Sequence, residues 1–329
     1  LRLYNSQKTM QNLPEKFIAI LEELFPSNSN FQSVIKTFTK RPTTFRVNTL
    51  KTSTQKVLEE LKHNRIKCQK SSFSDIAFIV DSKFRKELMD LEIYKNGHIY
   101  LQSLASQVPV LILDPKPGEL VLDLTAAPGS KTSQIAALMQ NQGRLIANEQ
   151  NKPRFFKLMH NMQNLGVLNS EKSEDDFIKL YLDNGISLPY KLNTKFDKIL
   201  LDTPCSAESR FVVSDPSTYK YWHIKKVKTL VQTQKRLLKS AFHALKQNGT
   251  LVYSTCTINP YENELQIEKF LAKNPNAKLE PIQVPGLNCA PLFKTEADIS
   301  NSKRIMMDQN IESFYVAKIT KTHEIEPNE

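Results

Sequence analysis

From residue 120 onward the sequence alternates strand-like apolar runs with helix-like stretches, and no other feature restricts the possible folds as strongly. The runs are LVLDL (120–124), RLIANE (144–149), FDKILLD (196–202) and TLVYST (250–255), while helical spacing fills 130–140, 153–165, about 218–247 and 261–273. Apolar strands separated by helices build βαβ units, and hence a parallel sheet covered on both faces. The later run IESFYVAKI (311–319) has no helix after it and is expected to close the sheet as an antiparallel edge. Ligands of such α/β sheets bind beyond the carboxyl ends of the strands. Asp123, Glu149, Asp202, Thr255 and Cys256 are therefore expected on one rim.

The chain before this region has a different style. EKFIAILEELF (15–25) and STQKVLEELKHN (53–64) read as helices, the second with Ser53 or Thr54 as its N-cap and Val57, Leu58 and Leu61 at helical spacing. KRPTTFRVNTLK (40–51) divides them, and the whole reads as a small α+β module. Residues 96–113 read as a linking helix with Leu101, Leu104, Ala105, Val108, Leu111 and Ile112 in one apolar stripe. DPKPGE ends it, because its prolines and glycine cannot continue a helix. The expected organisation is a module over 1–95, the main α/β domain over 96–322 and a tail over 323–329.

A net charge of +11 points to a polyanionic partner, since lysines and arginines facing phosphates gain affinity by releasing counterions. Lys36, Lys40, Arg41, Arg46 and Lys51 cluster in the divided segment, where a solvated basic face and a nucleic-acid contact fit equally well. The cysteines Cys68, Cys205, Cys256 and Cys289 are too few and too scattered for a disulfide framework. None forms a CxxC pair and the histidines make no HxxxH cluster, so no metal is expected. The opening residues lack the apolar stretch of a secretory signal, and no apolar run reaches the roughly 20 residues that span a bilayer. A cytoplasmic monomer without membrane contact is the expectation.

The chemistry lies in three segments. DLTAAPGSKT (123–132) places an acid at a strand end, then small residues and a Pro-Gly turn, then a helix start. Ala126, Ala127 and Gly129 let a ligand approach the backbone, and the helix offers free N–H groups. The spacing matches neither GxGxxG nor the P-loop. Glu149, ending the next strand, suits a pair of ribose hydroxyls. LLDTPCS (200–206) and YSTCTINPYENE (253–264) then bring two cysteines and an acid to neighbouring rims. A thiolate that adds to carbon 6 of a pyrimidine makes carbon 5 electron-rich enough to attack a methyl sulfonium, and an acid such as Asp202 can hydrogen-bond the ring at N3 and N4.

In this order and at these separations, DLTAAPGSKT, LLDTPCS and YSTCTINPYENE resemble the Sun (Nol/Nop/Sun) family of RNA 5-methylcytosine methyltransferases. The match runs from about Gln102 to Glu264, and RPTTFRVNTLK resembles that family's N-terminal module. The resemblance implies a class I, Rossmann-like sheet that uses S-adenosyl-L-methionine to methylate cytosine carbon 5 in RNA, ribosomal RNA first and transfer RNA next. It also implies roles by position. Thr125, Ala126, Ala127, Pro128, Gly129, Ser130 and Lys131 would form the donor loop, with Glu149 on the ribose, Arg154 beside it, and Asp175 or Asp176 on the adenine amino group. Cys256 would be the nucleophile, Cys205 would assist product release, and Asp202 and Lys131 would contact the target cytosine and the donor side.

The family's CAAPGGKT and DAPCSG read here with Thr125, Ser130, Thr203 and Ala207. Ser130 removes a glycine where positive φ is wanted, a modest strain; Ala207 and Ser209 reshape the loop that faces RNA. Downstream, Tyr219, Tyr221 and Trp222 lie among lysines, as single-strand RNA recognition prefers, although an amphipathic helix with its lysines outward accounts for most of that pattern. With about 65 residues left after Glu264, recognition falls on the N-terminal module and the loops over 205–225. Two other readings are an RNA-binding scaffold that no longer turns over, and a methyltransferase acting on protein or DNA.

Overall fold

The computed structural model describes residues 13–169 and 176–323. Helices α1 (Glu15–Leu24) and α2 (Asn28–Ile35) come first. Strands β1 (Thr43–Val47), β2 (Cys68–Lys70), β3 (Ala77–Val80) and β4 (Ile99–Leu101) follow, with α3 (Thr54–His63), α4 (Arg85–Asp90) and α5 (Glu92–Lys95) between them. The strands make an antiparallel sheet in the order β2–β3–β1–β4. Strand β1 is buried along its whole length, and Phe45, Val47, Val57, Leu61, Phe78 and Leu88 form the core of this unit. Helices α1 and α2 pack elsewhere: Phe17, Leu21, Phe31 and Phe38 bury against Phe211, Val213, Tyr219 and Met307. Phe17 meets the rings of Phe38, Phe211 and Trp222 at tilted or edge-on angles, with centroids 4.9 to 5.8 Å away.

The 96–113 segment is not one helix. Residues 99–101 pair with β1 as β4, and α6 (Leu104–Leu113) starts only after Ser103, whose side chain accepts the Ser106 amide.

The large sheet has nine strands. Its chain order is β5 (Leu120–Asp123), α7 (Ser130–Met139), β6 (Arg144–Asn148), α8 (Lys152–Asn164), β7 (Ile178–Tyr181), α9 (Leu188–Leu192), β8 (Phe196–Asp202), α10 (Ile224–His243), β9 (Leu245–Thr255), α11 (Glu264–Leu271), β10 (Ala277–Glu280), β11 (Cys289–Ala290), β12 (Lys303–Ile305) and β13 (Phe314–Lys321). The spatial order is β7–β6–β5–β8–β9–β13–β12–β11, with β5 to β9 parallel. Strand β13 is antiparallel to β9, as expected, but it is not the edge. Its outer side pairs with β12 at 314–316 and with β10 at 318–321.

Alternate residues of the strands feed the two covering layers. Val121, Leu200 and Val252 pack with Val108, Ile135 and Leu158 from α6, α7 and α8. Leu122, Ile199, Leu201 and Leu251 pack with Leu238, Ala241 and Ile267 from α10 and α11. Period-two strands between period-3.6 helices thus fix which strand ends stay open. Strand β5 lies between β6 and β8, so the order reverses there and a crevice opens beyond Asp123 and Asp202. Helix α10 is shorter than the 218–247 pattern: residues 216–218 form a single tight turn behind Pro216, and His223 starts the helix by accepting the Lys226 amide on Nδ1 at 3.0 Å.

Candidate active site

The crevice holds a cavity of about 720 Å³, within the range of pockets that enclose most of a nucleoside-sized ligand. One wall is the turn from β5 into α7. Gly129 has a φ of +103°, a conformation that strains any residue with a Cβ, so the turn favours glycine at this residue and not at the next. Ser130 is already the first residue of α7 and carries none of the strain expected of it. Asp123 sits beneath the turn, accepting from Thr132 Oγ1 at 2.7 Å. Burial, with Asp202 adding to it, pushes its carboxyl up to about 7.

Glu149 is 3% exposed and follows β6. One oxygen accepts from the Asn151 amide at 2.8 Å and the other lies 3.2 Å from the Arg154 guanidinium. Arg154 also donates to the Ala127 carbonyl at 2.6 Å, which ties the glycine turn to the acid. Thr203 lines the same cavity with a buried hydroxyl that has no partner among the described residues. Small residues against the backbone, a buried acid with free lone pairs and a spare hydroxyl fit an adenosyl group.

The other wall carries the thiols. Cys205 and Cys256 Sγ lie 3.4 Å apart on the loops after β8 and β9. Either sulfur can be the donor; a hydrogen bond given by Cys205, the direction that the positive charges of Arg210 and Lys131 near Cys256 favour, holds the Cys256 thiol below its ordinary value in spite of burial. The same bond, together with burial, drives Cys205 well above. Asp202 is held on both oxygens, by Lys131 Nζ at 2.7 Å and Ser254 Oγ at 2.9 Å. Lys131 also donates to Ser106 Oγ at 2.8 Å and stands 5.2 Å from the Phe314 ring centroid. Behind the thiols, Ser209 Oγ donates to the Cys256 carbonyl at 2.6 Å. Glu262 accepts from the Ser206 amide at 3.0 Å and from Gln234 at 2.7 Å. Burial and the nearby Glu208 push Glu262 up to about 8.

Ala207 departs from the expectation of a merely reshaped loop, because it holds a left-handed φ of 56°, where a Cβ is strained. Ala207→Gly is expected to raise unfolding stability by up to about 1 kcal/mol, the relieved strain partly offset by the freer unfolded chain. Denaturant titration measures it, and a clear loss of stability would contradict the strain.

The structure therefore brings Thr125, Ala126, Ala127, Pro128, Ser130, Lys131, Glu149, Arg154, Asp202, Cys205 and Cys256 to one cavity. Asp176 is not among its lining: it precedes β7, at the opposite end of the strand from the ligand rim, and Asp175 lies outside the described residues. Asp183, just after β7, leads into the lining residues Asn184, Gly185 and Ile186, so that end of the cavity is built by a strand the sequence pattern concealed. Of the basic cluster, Arg46 is fully buried, donating to Gln102 Oε1 and Ser133 Oγ, and is no nucleic-acid contact. Lys51 donates to the Asn96 and Asn164 carbonyls, whereas Lys40 and Arg41 do reach the cavity mouth. Ser106, Arg210, Ser254 and Phe314 had no local signal. Among the described residues no acid, cysteine and histidine cluster is grouped to hold a metal, and no helix is long and apolar enough to cross a membrane.

A parallel sheet reversing at β5, with a glycine turn after one strand and a buried acid after the next, defines a class I methyltransferase fold. The chain belongs to the 16S rRNA methyltransferase RsmB/F family, whose model matches residues 110–320. The ferredoxin-like domain of the same family matches 10–85. S-adenosylmethionine is the methyl donor of this family. The chain is 38% identical over 69% of its length to a tRNA (cytosine(49)-C(5))-methyltransferase of Pyrococcus abyssi, covering 72% of that protein. It is 35% identical over 96% of its length to the ribosomal RNA small subunit methyltransferase F of Cronobacter sakazakii, of which it spans 64%. A methyltransferase homolog protein from Pyrococcus horikoshii has the same fold, with a TM-score of 0.80, 29% identity and coverage of 96% of this chain and 99% of that one.

Proposed function

We propose that this protein methylates carbon 5 of cytosine in RNA, with ribosomal RNA favoured and transfer RNA next. The observation that carries the reading is the pair of thiols 3.4 Å apart in the same cavity as the glycine turn and Glu149. Glu149 would hold the ribose hydroxyls, the Thr125–Lys131 turn the donor's polar end, and the Asn184–Ile186 wall the adenine. When bound, S-adenosylmethionine supplies an electrophilic methyl group. Cys256, as thiolate, forms a bond from Sγ to carbon 6 of an extruded cytosine, and the displaced electron pair makes carbon 5 nucleophilic. Asp202, oriented by Lys131 and Ser254, hydrogen-bonds the ring edge while charge builds there. In the elimination the carbon 5 proton passes to solvent water, its electron pair re-forms the ring double bond as the bond from Cys256 Sγ to carbon 6 breaks, and Cys205, kept protonated beside Cys256, hydrogen-bonds the departing thiolate.

The reading includes a cytoplasmic monomer, in which a reducing setting keeps the Cys205 and Cys256 thiols free to react. Bisulfite sequencing of RNA from cells with and without the gene tests the function. A cytosine that loses its mark names the substrate, and unchanged marks in every cellular RNA would refute it.

The thiolate also sets a pH dependence. As pH falls through the Cys256 value the thiolate is lost and kcat/KM drops about tenfold per unit. That limb should lie below 9.0, where an ordinary thiol titrates, and Arg210→Leu should move it upward. A limb that stays put in the variant would remove Arg210 from the account.

A further inference from the structure

We propose that a second cavity, behind the Cys205 loop, seats the base of a nucleotide adjacent to the target cytosine in single-stranded RNA. This rests on the RNA reading above and adds a specificity site to it. The cavity measures about 200 Å³ and is bounded by Ser206, Tyr221, Trp222, His223 and Lys226. Pockets for whole small-molecule ligands run to roughly 300–1,000 Å³, so this one admits a single planar ring and not a cofactor. Ser206 lines it while Cys205, the preceding residue, lines the large cavity. The two cavities are thus lined by consecutive residues of one loop, and under the proposal a strand whose cytosine is turned toward Cys256 places its neighbour at this opening.

The walls suit a base. Trp222 is fixed, its Nε1 donating to Glu208 at 2.8 Å and its ring set against Phe17 at 5.8 Å. Tyr221 is 71% exposed, with Lys220 Nζ 4.8 Å from its ring centroid. An aromatic face beside a cation is the platform on which single-stranded bases stack without strict sequence choice. His223 uses Nδ1 to accept the Lys226 amide, which leaves its Nε2–H free to donate to a base edge. Lys226 adds an ammonium for a phosphate, and no lining residue among those described is acidic.

The test uses the full chain with unmodified transcripts of small-subunit ribosomal RNA and of transfer RNA as probes. On whichever transcript the wild type methylates, Tyr221→Ala should lower kcat/KM roughly 5- to 100-fold, the equivalent of about 1–3 kcal/mol of stacking, with donor affinity unchanged. Tyr221→Phe, which keeps the ring, should restore it. An abasic residue placed beside the target cytosine should cost the wild type a similar factor and cost Tyr221→Ala nothing further. Wild-type efficiency in Tyr221→Ala, or an abasic penalty of equal size in both proteins, overturns the proposal while leaving the methyltransferase reading intact. A wild type that methylates neither transcript overturns the reading on which the proposal stands.

Discussion

Cys256→Ala is expected to lose methyl transfer to RNA by on the order of 10⁴-fold or more, because removing the nucleophile removes the covalent route rather than weakening one contact. Donor binding should be unchanged, since the proposed donor contacts are Glu149, the glycine turn and the 184–186 wall, none of which the substitution touches. The choice between the two sulfurs is physical. Both are half-buried and in contact, and either could donate to the other, but the positive charges of Arg210 and Lys131 favour the thiolate on Cys256. Single-turnover methylation with radiolabelled donor measures the loss. Full activity in Cys256→Ala, with loss in Cys205→Ala, would reverse the assignment.

Glu264→Gln is expected to have the largest effect on stability. Glu264 and Arg304 are both fully buried and bonded through two nitrogens, Arg304 Nε at 3.1 Å and a terminal nitrogen at 2.5 and 2.6 Å. Arg304 also donates to the Ile258 carbonyl at 2.7 Å, so the pair anchors the loop after Cys256 to β12. Neutralising one partner leaves an uncompensated buried guanidinium, which costs about 3–5 kcal/mol. Thermal unfolding should fall by roughly 10 °C. The double variant Glu264→Leu with Arg304→Met removes both charges and should recover much of the loss. Equal destabilisation in the single and double variants would show that packing, not charge, is what the pair contributes.

These two cases mark how far the sequence could be read. Cys256 was legible because its neighbours form a motif at a strand end, and strand ends of an alternating α/β sheet converge whatever their spacing in the chain. Glu264 closes the same motif, but its partner is 40 residues away in a three-residue strand with no periodic pattern. Strand β7 was hidden for a related reason: it is a half-exposed edge, with Lys179 in its middle, and only pairing with β6 makes it a strand. With β7 unseen, the sequence pattern points to Asp175 or Asp176 for the adenine; Asp176 stands before the strand, Asp175 lies outside the described residues, and the cavity lining near this strand comes from residues 184–186 at its other end. Arg46 misled in the opposite direction. A charged side chain reads as surface, and its burial depends on Gln102 and Ser133, which reach it from separate elements. Short strands β10 to β12 carry no signal of their own and exist as partners of β13 and of one another.

The most direct measurement is the fate of the sulfur–carbon bond in Cys205→Ala. Incubated with donor and a transcript that the wild type methylates, this variant should accumulate a protein–RNA species that survives a denaturing gel, and peptide mass spectrometry should find the nucleotide on residue 256. If RNA binds yet no such species forms, or if the nucleotide is carried by any other side chain, attack by that thiolate is not how this protein works.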